Sequence, residues 1–259
     1  MEKIVYLLVF FIAFMLIAKV SNAYFNVTYL NTTVILENNT SAHVIEVLTL
    51  FISNSSVQQY MQYRQAINLT LSNWESALGT SYLIEHIINP NSSISKFTFL
   101  PGPVMRNING SGLAYLTMDY YVGNVTTKSM IAPRKFEYTF NDKVFNFMHT
   151  ASGEALYPNS RLNIIIPKDA QVVSIYPAPD YPVPSSPGNY TGYTEFSWFY
   201  GEPLSKFSFS YIITESLQQE VVSYFSALLS KYGTIIYVSL VAIIVIIIIY
   251  LYAKIVLVR

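Results

Sequence analysis

Apolar and polar positions along this chain change their period several times, and each change predicts an element. Tyr24–Leu36 and Ala42–Ser53 read as two strands around the polar turn Glu37-Asn38-Asn39-Thr40. In the second, Val44, Glu46, Leu48 and Leu50 alternate against His43, Ile45, Val47, Thr49 and Phe51, more hydrophobic than a half-exposed strand, which predicts a central position. Over 55–79 the period lengthens to three or four residues: Val57, Tyr60, Met61, Arg64, Ile67, Leu71, Trp74 and Leu78 mark one helical face. Two short helices are predicted, about Ser56–Asn68 and Asn73–Leu78. Ser72-Asn73-Trp74-Glu75 reads as a capping box and Gly79 as the stop. This helical insertion is expected to cover a sheet face with Trp74 as its anchor.

Strand patterns then return at Tyr82–Ile88, Ile94–Leu100, Leu113–Val122, Arg134–Phe140, Val144–Met148, Arg161–Ile166, Gln171–Tyr176, Tyr193–Tyr200 and Lys206–Thr214. Turn residues separate them, including Asn89-Pro90, Pro101-Gly102-Pro103, Asn109-Gly110-Ser111-Gly112 and Asn141-Asp142. Many short, closely spaced strands predict a mainly β fold, an antiparallel β-sandwich in the region 24–215. One sandwich, or two in tandem with a seam near Ile131–Arg134, both fit the pattern.

The periodicity ends in a different kind of segment. Thr234–Ala253 is twenty residues without a charge, Gly or Pro, enough as a helix to cross a hydrocarbon core of about 30 Å. Only a helix satisfies its own backbone in lipid, so its Ile and Val are expected to be helical there. Lys231 precedes it and Lys254 and Arg259 follow, leaving 254–259 as a short cytoplasmic tail. Residues 216–233 predict a juxtamembrane amphipathic helix with Leu217, Val221, Tyr224, Phe225, Leu228 and Leu229 on one side. At the other end, 1–23 reads as a signal peptide: Lys3, an apolar run Ile4–Ala18, and small residues at Ser21 and Ala23. An uncleaved N-terminal anchor is the rival reading. Both place the middle of the chain outside and the C-terminus in the cytoplasm, a single-pass type I arrangement in the cell membrane.

Composition sharpens that location more than it defines a task. Charged residues make up 12 % of the chain, while Tyr numbers 22 and Phe 16. From Tyr24 to Lys231, 11 Lys and Arg face 14 Asp and Glu, a net of −3, with no clustered base for nucleic acid. The chain has no cysteine, which for an exported protein favours a prokaryotic envelope over a disulfide-built eukaryotic ectodomain. Few carboxylates and many hydroxyls and amides also suit an acidic exterior, because amides and hydroxyls keep their hydrogen bonds when carboxylates titrate.

The most frequent chemical signal is the glycosylation sequon Asn-X-Ser/Thr, present at Asn26, Asn31, Asn38, Asn39, Asn54, Asn68, Asn91, Asn109, Asn124 and Asn189. With 18 Asn and 44 Ser plus Thr, chance gives about three such sequons against the ten present. Catalytic patterns are thin. His43, His86 and His149 lie far apart without metal-ligand spacing, and His43 and Glu46 fall on opposite faces of one strand. Ser93-Ile94-Ser95-Lys96 matches a Ser-X-X-Lys pattern but opens a strand and lacks the companion motifs. No catalytic residue, cofactor or metal is therefore expected. A surface hydrolase drawing an acid and a base from Asp119, Glu137, Asp180 or Glu195 is the alternative.

Tyr176–Gly192 is compositionally odd, with five of the twelve prolines interleaved with three tyrosines. Stiff chain with aromatic faces loses little entropy on binding, so Tyr176, Pro177, Pro179, Tyr181, Pro182, Pro184 and Tyr190 are the candidate binding loop. Around it runs an ordered series: Leu162-Asn163-Ile164-Ile165-Ile166-Pro167, Val172–Pro179, Phe196-Ser197-Trp198 and Phe207-Ser208-Phe209-Ser210-Tyr211. This series, over about 161–214, resembles the β-rich ectodomains of archaeal single-pass cell-surface glycoproteins. The resemblance implies an archaeal envelope, a glycosylated exterior and no catalytic residues to carry over. The expected function is a membrane-anchored, N-glycosylated structural or binding component of the envelope, with other envelope proteins or glycans as partners. An accessory subunit of a membrane complex is a further alternative.

Overall fold

A computed structural model describes residues 25–80, 83, 93–145, 147–151, 153–186, 188–200, 204, 206–218, 221–222, 224–226, 229–233, 237, 239 and 243. The fold is mainly β. Two long strands, β1 (Asn26–Leu36) and β2 (Ala42–Ile52), form the first hairpin, and β2 pairs on its other side with β5 (Gly112–Val122). β2 is central, and its burial alternates along nearly its whole length. The predicted position holds because Val44, Leu48, Leu50 and Ile52 face the core while His43, Ile45 and Val47 face outward half-covered.

β3 (Ile94–Pro101) and the short β4 (Met105–Arg106) both pair with β5, and β10 (Ser160–Ile165) and β12 (Glu195–Phe199) complete a seven-stranded sheet. Its order is β12-β10-β1-β2-β5-β3. The expectation of purely antiparallel pairing is corrected here: β1 and β10 run parallel, in register from Leu30–Ser160 to Ile35–Ile165. Parallel neighbours need a long crossover, and here the chain supplies one of more than a hundred residues. Within that crossover lie β6 (Thr126–Ala132), β7 (Lys135–Phe140), β8 (Met148–Thr150) and β9 (Gly153–Ala155). β6 was not legible in the sequence, since Thr127–Ile131 is exposed on both sides and shows no alternation. A second sheet has the order β11-β13-β7-β6, with β11 at Ala170–Tyr176 and β13 at Ser208–Thr214.

The inner face of the large sheet is covered in two ways. Toward β12, Phe196 meets Phe209 at 5.5 Å and Trp198 meets Phe207 at 5.2 Å, joining the faces of the two sheets. Of the predicted strand Val144–Met148, Val144 instead ends a 3-10 turn, Asp142–Val144, in which Asn141 Oδ1 accepts from the Lys143 N–H, and Met148 opens β8. Just past the turn Phe145 stacks on Phe140 at 4.9 Å and meets Phe207 edge-on.

Elsewhere the cover is helical. α1 (Val57–Gln65) and α2 (Leu71–Leu78) bury Tyr60 and Trp74, and Trp74 touches Phe25, Tyr60, Tyr63 and Phe99 at 5.5–6.3 Å. Removing a ring of this size from water is worth about 2–3 kcal/mol. Tyr60 O–H donates to the Gly102 carbonyl at 2.8 Å. A side chain at Gly102 would meet the Tyr115 carbonyl at 3.0 Å, so glycine lets this turn press onto β5. The capping residue is Thr70, two places before the predicted one: Asn73 Oδ1 accepts from its N–H at 2.9 Å. Gly79 stops the helix in the left-handed conformation, φ 65°, as its sequence position predicts.

Among the described residues, those up to Ser129 with Glu137–Ile212 form one compact unit, and Met130–Phe136 with those from Ile213 form another. In the second unit the Glu215 N–H donates to the Arg134 carbonyl at 2.8 Å. The described residues between 217 and 233 are helical, with Leu217, Val221, Tyr224, Phe225 and Leu229 exposed. Among the described residues, no helix is long and apolar enough to cross a membrane. The expected signal peptide 1–23, the expected tail 254–259, nearly all of the expected span 234–253 and, Leu83 apart, the expected strand Tyr82–Ile88 lie outside the described residues. Of that span only Tyr237, Ser239 and Ile243 are described, all helical.

Candidate functional site

The proline-rich loop folds back onto the edge of β12. Asp180 N–H donates to the Ser197 carbonyl at 2.9 Å, and Ser197 N–H donates to the Tyr181 carbonyl at 2.7 Å. Asp180 Oδ2 accepts from the Phe199 N–H at 2.7 Å, and Trp198 Nε1–H donates to the Pro177 carbonyl at 3.1 Å. These bonds turn Pro177, Pro179 and Pro182 inward, where they are buried. Tyr190 is buried as well, edge-on to Phe196 at 5.7 Å. Four of the seven candidate binding-loop residues thus belong to the packing of β12, because a strand edge next to the core needs its donors satisfied. Tyr176 and Tyr181 remain exposed, and Pro184 is half-buried.

Tyr181 lies beside a polar network on the outer face of the seven-stranded sheet. Asn163 Nδ2–H donates to Asn31 Oδ1 at 2.9 Å and reaches Thr33 Oγ1 at 3.3 Å. Ser197 Oγ–H donates to Asn163 Oδ1 at 2.7 Å, and Arg161 Nη2–H donates to Ser197 Oγ at 2.8 Å. The Arg161 guanidinium also sits 5.1 Å over the Phe199 ring and 3.9 Å from Glu195. The parallel pairing of β1 with β10 creates this network, since it sets Asn31 opposite Arg161 and Thr33 opposite Asn163. Nothing in the one-dimensional pattern announced it.

A second outward cluster occupies the β2–β5–β3 side. His43 Nε2 is 2.7 Å from Asp119 Oδ1, and the His43 ring stacks on Tyr121 at 4.7 Å. Lys96 Nζ stands 4.7 Å from the centre of the same tyrosine ring. Asp119 is the outward strand residue that its place between Met118 and Tyr120 predicts.

Directly behind it the sheet holds a buried acid. Glu46 is completely buried, and Tyr120 O–H donates to its Oε1 at 2.5 Å. Burial pushes the Glu46 carboxyl up to about 8, against the opposing pull of the Tyr120 hydrogen bond. Burial and the neighbouring Glu46 raise the Tyr120 phenol as well. His43 and Glu46 do face opposite ways, as their spacing requires.

The carboxylates considered as acid and base are each engaged separately. Asp119 meets His43, Asp180 meets the Phe199 N–H and Glu195 approaches Arg161, while Glu137 lies half-buried on β7. Among the described residues no group of three or more His, Asp or Glu could hold a metal. Of the sequon asparagines, Asn26, Asn38, Asn39, Asn54, Asn68, Asn109, Asn124 and Asn189 are exposed, and Asn31 is half-buried in the polar network. Asn91 lies outside the described residues. Three of these asparagines form Asx turns: Asn39 Oδ1 accepts from the Ser41 N–H, Asn109 Oδ1 from Ser111 and Asn189 Oδ1 from the Thr191 N–H. No family model matches this sequence, and no curated protein is similar to it.

Proposed function

We propose that this chain is a membrane-anchored, N-glycosylated cell-surface protein, with a β-sandwich ectodomain on a single C-terminal span at 234–253. It acts as a structural or binding component of the envelope. The placement of the sequons carries this reading. Asn38, Asn39 and Asn124 gather at one end of the large sheet, where the Val125 N–H donates to the Thr40 carbonyl. Asn26, Asn54 and Asn109 gather at the other end, with Asn54 Oδ1 packed against Gly110. Glycans at both ends would hydrate a surface with little charge and leave the outer sheet face open. That face is the binding surface, through the exposed rings of Tyr181 and Phe199 and the half-buried Arg161, which the buried Ser197 and Asn163 hold in place. Aromatic rings beside one hydrogen-bonding side chain recognise neutral polar partners such as glycans or uncharged protein surfaces. The resemblance over 161–214 points the same way, to an archaeal envelope.

The test is purification from native membranes in mild detergent, with glycopeptide mass spectrometry and identification of cross-linked companions. The expected result is a carbonate-resistant membrane protein with glycans on the exposed turn sequons and none on Asn31. An unmodified chain, or one that carbonate releases from the membrane, would overturn the reading.

A further inference from the structure

The two larger sheets end in four edge strands, and three of them are protected against further pairing. β12 is covered by the Asp180–Tyr181 strap. β3 breaks register between Ser95 and Thr98, carries Lys96 at φ 53° and ends in Pro101. β6 carries Lys128. These are the devices that keep sheet edges from joining other sheets. β11, Ala-Gln-Val-Val-Ser-Ile-Tyr, has neither charge nor proline over its seven residues. It pairs on one side with β13, and no described strand covers the other. Val173 and Tyr176 are more than half exposed, and an open groove of about 440 Å³ runs along the strand between Val172 and Gly188.

We propose that β11 is where two copies of this chain join, strand to strand and antiparallel, about a twofold axis at Val173. An open edge presents unpaired N–H and carbonyl groups, and only an extended polypeptide satisfies a row of them. The sequence around the edge favours a second copy of itself. Pairing about Val173 sets Val172 opposite Ser174, Gln171 opposite Ile175 and Ala170 opposite Tyr176, so only uncharged residues meet. The flanking charges, Lys168 and Asp169, lie in the turn before the strand, and Pro177 turns inward after it, so no charge enters the paired stretch. Such a contact is self-complementary and closes after two copies, which removes the exposed edge without building a fibre.

The absence of cysteine makes the test direct. Single substitutions Gln171→Cys through Ile175→Cys are placed in the full-length chain, which is oxidised mildly in detergent and run on a non-reducing gel. Directly opposed strand residues lie about 4.5–5.5 Å apart at Cβ, close to disulfide reach. The expected result is a disulfide-linked dimer that peaks at Val173→Cys and is lost for Lys128→Cys on the β6 edge. Val173→Lys and Val173→Glu should each abolish the dimer in chemical cross-linking, and mixing the two should restore it. Equal cross-linking at every position, no dimer at any, or capture of a different protein at Val173→Cys would overturn the proposal.

Discussion

β2 and β5 place one acid on each face of the same sheet, and the two fare differently. Glu46 points inward beneath Tyr120, fully buried, and its carboxyl is pushed up to about 8. Asp119, the residue next to Tyr120 in sequence, points outward, half-exposed, and meets His43 at 2.7 Å. Both acids have a ring-bearing partner within hydrogen-bonding distance, so the contact alone does not separate them. Water does: the outward pair keeps solvent on its free atoms, whereas Glu46 Oε2 has no hydrogen-bonding partner. The inward acid therefore favours its neutral form, and its phenol partner matters more than the partner of the outward acid.

The sharpest way to break this comparison is Tyr120→Ala. It removes a buried ring and leaves both Glu46 oxygens unpaired, and the expected loss is about 3–5 kcal/mol in denaturant unfolding followed by Trp74 and Trp198 fluorescence. A loss below about 1 kcal/mol would mean that the inner acid does not depend on its partner.

Next in size is the pH dependence. The Glu46 carboxyl is raised from 4.5 unfolded to about 8 folded. Below 4.5 both states hold the proton and the group has no effect on stability. Between 4.5 and 8 only the folded state holds it, so this group removes about 1.4 kcal/mol of stability per pH unit as pH rises. Above 8 the loss levels off. Glu46→Gln should flatten that slope in melting curves from pH 4 to 9, and an unchanged slope would refute the assignment.

Smaller effects sharpen the contrast. The double substitution Glu46→Met with Tyr120→Phe removes both polar partners together, and it should stay within about 1 kcal/mol of the parent in the same unfolding assay. On the outer face, Asp119→Asn or His43→Ala should cost only about 0.2–1 kcal/mol, and less in high salt, because the pair is partly exposed. A cost above that of Tyr120→Ala would reverse the comparison.

Where local chemistry decides, the residues were readable. The period of 42–53 gave the central strand, Gly79 gave the helix stop, and Trp74 gave the anchor of the helical cover. Where two local signals compete or distant chain decides, they were not. Thr70 took the cap from Ser72 through Asn73, and Asn141 began a 3-10 turn through Lys143, both choices made within three residues. Three prolines and Tyr190 were drawn from a candidate binding loop into the packing of β12. No window of sequence contains both partners in the last case: Pro177 meets Trp198, and Asp180 meets Phe199.

By itself the sequence determined that the described fold is mainly β, and which face of each long strand turns inward, because side-chain alternation is a property of one strand. It also marked the exposed turns that bear most of the sequons. Only the tertiary structure decided that β1 lies parallel to β10, and so that Asn31, Asn163, Ser197 and Arg161 share one network. Only it decided which sheet edge is left bare. Strand neighbours are chosen by the whole set of strands competing for a common core, and that competition leaves no trace in the period of any single strand.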